Sequence, residues 1–122
     1  MTNCYAEIRD AARAYAAARA EHHAAHMGQH GSWTCGRGGC GPCPMRERLS
    51  PVALAVWDGL SDQERDCAVL AACGDDPRPG IQPNLDAMRT WTGASAAGAV
   101  SSIRYMEARI AAYARMERLL AD

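Results

Sequence analysis

Apolar positions recur at helical spacing along most of the chain, and no stretch shows the strict alternation that marks a half-buried strand. From Asn3 to about Met27 the sequence is alanine-rich and free of proline and glycine. Tyr5, Ile8, Ala12, Tyr15 and Arg19 trace one face there at steps of three and four, which predicts a helix. Gly28 and Gly31 weaken that helix, and residues 28–44 (GQHGSWTCGRGGCGPCP) hold too much glycine for a regular element.

The second half predicts a series of helices with recognisable starts and stops. Ser50-Pro51 opens one, with serine as the cap and proline at the first helical position, and Gly59 ends it. Ser61 and Glu64 form a capping box for the next, which should bury Cys67, Val69, Leu70 and Cys73 and stop at Gly74. Asp75 to Pro83 holds three prolines and a glycine and reads as a loop. Asn84 is the expected cap of a short helix through Trp91, broken at Gly93. Ser95 then caps a last helix running to Leu120, whose seam of Ala99, Ile103, Met106, Ile110, Tyr113 and Leu120 is close to a heptad repeat. Glu117 interrupts that seam and argues against a long coiled coil. The expected fold is all-α. A zinc-stapled helix-loop-helix over residues 1–49 precedes a helix-turn-helix bundle with a long C-terminal helix over 50–122.

Composition sharpens this picture. Of the 122 residues 48% are hydrophobic, but much of that share is alanine and there is no phenylalanine, so little area is available for a core. A metal staple would compensate. All 13 basic residues are arginine, a mark of a GC-rich bacterial genome, and the net charge of -1 argues against a nucleic-acid-coating protein. Glu7, Arg9, Asp10 and Arg13 rule out a signal-peptide pattern at the start, and no apolar run is long enough to span a membrane. The expected location is the cytoplasm, where reduced, clustered cysteines point to metal or redox chemistry.

The cluster is dense. His22, His23, His26 and His30 precede Cys35, Cys40 and Cys43. Cys40-Gly-Pro-Cys43 is a knuckle whose two thiolates can reach one tetrahedral ion. His26 and His30, four apart, share a helix face. Either one histidine joins all three cysteines, or both histidines join two of them. A closed thiolate-rich set of this kind suits structural Zn2+. An iron–sulfur cluster drawing on Cys4 is an alternative that leaves the histidines without a task. The Cys-Gly-Pro-Cys tetrapeptide also occurs in thioredoxins, but the residues before it form no strand and the alternating βα pattern is missing. The first 50 or so residues resemble small actinobacterial zinc-binding proteins, through Tyr15, His26 or His30, Cys35, Cys40, Cys43-Pro44 and Leu49. That resemblance implies no known activity.

The run from Gly93 to Glu107 resembles the turn and recognition helix of bacterial helix-turn-helix regulators of the GntR and MarR kind: glycine for the turn, Ser95 as cap, then Ala99, Ile103, Met106 and Glu107 at the family's steps. The resemblance implies a preceding helix containing Leu85, Met88 and Trp91, with Val69 and Leu70 in a supporting one. It also implies phosphate contacts from Arg89 and Arg104 and groove contacts from Ser95, Ser101 and Ser102. Where those families continue into a wing, Ala108 to Leu120 stays helical, and the segment from Ser95 onward is nearly neutral. The expected role is a small DNA-binding or transcription-regulatory protein, of phage or mobile-element type. The alternative is an adaptor that binds a partner protein through the zinc hairpin and the last helix, whose seam also offers a route to a homo-oligomer. No paired carboxylates, serine–histidine pattern or phosphate loop points to an enzyme.

Overall fold

A computed structural model describes the backbone of residues 3–30 and 45–122, and the side chains of 3–21 and 45–122. Among the described residues the protein is all-helical: α1 (Cys4–His30), a short 3-10 turn (Arg46–Arg48), α2 (Pro51–Asp58), α3 (Asp62–Ala72), α4 (Arg78–Met88) and α5 (Gly93–Leu119). The first helix runs past Gly28, a little further than the sequence predicts.

Polar side chains set the boundaries of α2 and α3. The Ser50 hydroxyl accepts the Ala53 N–H, and Pro51 follows at the first helical position. At the far end Arg65 donates to the carbonyls of Leu60 (2.7 Å), Trp57 (3.3 Å) and Asp58 (3.4 Å), placing a cation on the negative end of α2. Ser61 and Glu64 make the reciprocal capping box of α3. The last carbonyls of α3 receive a tertiary partner, with Arg13 Nε donating to Ala72 O at 2.7 Å. Gly74 then turns the chain with φ +70, a conformation that a side chain would strain.

The core is one continuous cluster. Ile8, Ala12 and Tyr15 of α1, Ala53 and Trp57 of α2, Cys67 and Ala68 of α3, and Tyr113 and Met116 of α5 are all buried in it. It therefore crosses the boundary between residues 49 and 50. Tyr5 packs at its edge, and Arg19 stacks over Tyr15 with its guanidinium 5.5 Å from the ring centre, so the predicted α1 face is the face used.

Five expectations need correction. The expected loop at Asp75–Pro83 extends only to Pro77: α4 starts at Arg78, and Asn84 lies inside it rather than capping it. The Asp76 carboxylate accepts the Arg78 N–H at 2.9 Å, and Pro79 sits in the first turn, where a missing N–H costs nothing. Pro83 is tolerated inside the helix at the expense of one rung. α4 ends at Met88, so Trp91 belongs to the connection that follows. Ser95 is not a cap. Thr92 occupies the cap position without a side-chain bond, Gly93 turns the chain at φ +64, and Ser95 lies in the first turn of α5. Cys73, expected inside, is exposed, because it falls just beyond the last turn of α3.

α5 also departs from a heptad. Its buried positions in the second half, Ala112, Tyr113 and Met116, with Leu120 just past its end, follow the spacing of a straight helix packed on a core. Met116 takes the inner place, and Glu117 faces solvent to pair with Arg78 at 3.1 Å.

Candidate functional site

The predicted metal ligands divide into two groups. Positions 26 and 30 both lie within α1, one helical turn apart, while Cys35, Cys40 and Cys43 fall outside the described residues. The remaining cysteines are dispersed through the fold. Cys4 is half-buried at the start of α1 and Cys73 is exposed. Cys67 is buried, with its thiol donating to Arg109 O at 3.6 Å, and burial pushes its pKa up. Among the described residues no group of three or more histidine, cysteine, aspartate and glutamate side chains could hold a metal ion.

The predicted DNA-contacting residues are spread over the α4–α5 pair. Arg78, at the start of α4, pairs with Glu117 near the end of α5, and Arg89, just past the end of α4, pairs with Glu107 at 3.1 Å. The two bridges are 11 positions apart on one helix and 10 on the other, in opposite order, so α4 runs antiparallel to α5. Arg89 is thereby engaged, with Asp86 as a second acidic neighbour at 3.7 Å. Ser95, Ser101, Ser102 and Arg104 are all exposed on the part of α5 that precedes Glu107. Ser101 and Arg104 stand one turn apart, and Arg104 has no hydrogen-bond or ion-pair partner among the described residues. Val100 (42% exposed) lies on this same part of α5, and Trp91 (46%) just before it.

Sequence reasoning did not anticipate a cleft of about 920 Å³ beside Met45, the first described residue after the cysteine segment. Tyr15 and Trp57, both almost wholly buried, supply its inner wall, and Tyr105, 55% exposed, stands at its rim. Two ion pairs line it, Arg46 with Asp58 and Arg65 with Asp62. Asp66 also lines it and has no hydrogen-bond or ion-pair partner among the described residues. In the sequence Tyr105 is only an off-seam aromatic on the last helix; its place on the cleft shared with Tyr15 and Trp57 depends on how α1, α2 and α5 pack.

The chain matches no protein-family model, no curated protein and no solved structure.

Proposed function

We propose that this protein is a small zinc-stapled adaptor that binds a partner protein through the cleft between Tyr15, Trp57 and Tyr105. The cleft is the observation that carries the reading. Aromatic and arginine side chains dominate binding at protein interfaces, and here the exposed Tyr105 stands with Arg46 and Arg65 around one concavity whose floor is formed by the buried Tyr15 and Trp57. The carboxylate of Asp66, unpaired among the described residues, favours a partner segment that carries a cation beside its apolar side chains. Zinc held by Cys35, Cys40 and Cys43 with His26 or His30 would fix the segment that rejoins the fold at Met45, in the cleft wall.

DNA binding by α5 is the second reading, favoured by Arg104, unpaired among the described residues and one turn from Ser101. It draws less support because Arg89 is held by Glu107 and Asp86, which leaves few cations for phosphate. Affinity capture followed by mass spectrometry, run with wild type, Tyr105→Asp and Asp66→Arg, separates the two. A partner retained by wild type and lost from both variants supports the adaptor. If all three retain the same proteins, the cleft has no such role. Binding of duplex DNA at low salt that weakens in Arg104→Ala would put the regulatory reading in its place.

A further inference from the structure

We infer that α4 is a detachable strap, latched onto α5 by ion pairs at its two ends and able to open as a unit while the rest of the fold stays intact. Three features separate α4 from the remainder of the protein. It packs against α5 and makes at most marginal contact with any other helix. It buries a single residue, Leu85, which does not belong to the continuous core, and neither does Ala99, the buried residue in the first half of α5. Its backbone is weakened from within by Pro83, which removes one rung of the helix, and by Gly80 in the first turn.

Besides the buried Leu85, what holds this helix in place lies at its ends. Arg78 donates to both oxygens of Asp76 (2.8–3.1 Å) and to both oxygens of Glu117 (3.1 and 3.3 Å), and its guanidinium lies 4.8 Å from the centre of the Tyr113 ring. Arg89 closes the other end on Glu107. Both clamps face solvent, with side chains 31–51% exposed. Exposed pairs weaken as salt shortens the screening length, whereas the apolar contacts of the main core do not. Salt screens the exposed pairs elsewhere as well, such as Arg13 with Asp122, but those join segments that also share the apolar core, so α4 loosens first. Opening swings Arg78 off Tyr113 and lays bare Leu85 together with the surface of α5 that α4 covers, while Ala112 and Met116 stay in the core. This inference stands whether or not the cleft binds a partner.

Native-state hydrogen exchange on the full chain tests it, comparing low salt with about 1 M NaCl, where the screening length falls to about 3 Å. The amides of Leu85 to Arg89 should exchange at least about tenfold faster than those of Cys67 to Ala71, and salt should widen the gap. Glu107→Gln combined with Glu117→Gln should speed α4 exchange at low salt and remove most of the salt response, with α3 unchanged. A second variant, Leu85→Ala, should melt α4 alone. Exchange of α4 at the rate of α3, or acceleration of all helices together in either variant, would overturn the inference.

Discussion

The carboxylate of Glu7 receives both the backbone N–H of Ser50, at 2.7 Å, and its hydroxyl, at 2.9 Å, across 43 positions of the chain. Ser50 in turn caps α2 by accepting the Ala53 N–H. One acidic side chain on α1 thus completes the N-terminus of another helix, where negative charge is favoured. Glu7→Ala leaves the Ser50 N–H and hydroxyl without their acceptor and should destabilise the fold by about 1–3 kcal/mol. Urea denaturation followed by circular dichroism measures this. An unchanged midpoint would mean that water replaces the carboxylate at no cost.

Burial should separate the cysteines of the helical core by reactivity. Cys73 is exposed and Cys67 is buried with a raised pKa, so a maleimide should label Cys73 quickly in the native protein and Cys67 only after unfolding. Peptide mapping of timed labelling reads the two rates. Equal rates would contradict the packing of α3.

Acid should weaken the protein through carboxylates that the fold holds ionised. Glu64 lies below the ordinary carboxylate range, first because its side chain accepts the Ser61 N–H and further because Arg115 faces it. The Arg78 side chain lowers Asp76 in the same way, and Arg13 lowers Asp122. A depressed folded-state pKa contributes stability that is complete above the unfolded value and is lost as pH falls through the folded one. Urea midpoints should therefore hold from neutrality down to about pH 5 and fall below about pH 4. In Glu64→Gln the neutral-pH midpoint should be lower and the acid loss shallower. An identical acid profile in that variant would remove Glu64 from the account.

Metal content tests the staple directly. Protein purified without added metal should carry one zinc per chain, and Cys40→Ser should lose it. Elemental analysis decides this, and iron with a brown colour, or no metal in the wild type, would refute the zinc site.

Ala99 is 4% exposed near the start of α5, so a larger side chain there has little room. Ala99→Leu should cost on the order of 1–3 kcal/mol by overpacking. Thermal melting monitors the loss, and an unaltered melt would show that the site relaxes freely.

The sequence by itself determined the helical class and the local devices that start and stop helices: Ser50-Pro51, the Ser61–Glu64 box and the turn at Gly74. These are legible because donor, acceptor and backbone requirement lie within a few residues of one another. The same locality made the Cys/His cluster readable as candidate zinc chemistry. It misled at Asp75–Pro83, where proline count suggested a loop although Asp76 and an early Pro79 suit a helix start. Other features were decided only by tertiary packing. Glu7 capping a distant helix, Arg13 closing α3, Arg78 and Arg89 clamping α4 antiparallel to α5, and Tyr105 lining one cleft with Tyr15 and Trp57 all bring together residues far apart in the chain. No local pattern encodes such partners, because an arginine that will close a distant helix and one that will stay in water occupy the same positions in a helical repeat. What separates them is which faces the small alanine-rich core brings together, and that is settled only when the whole chain packs.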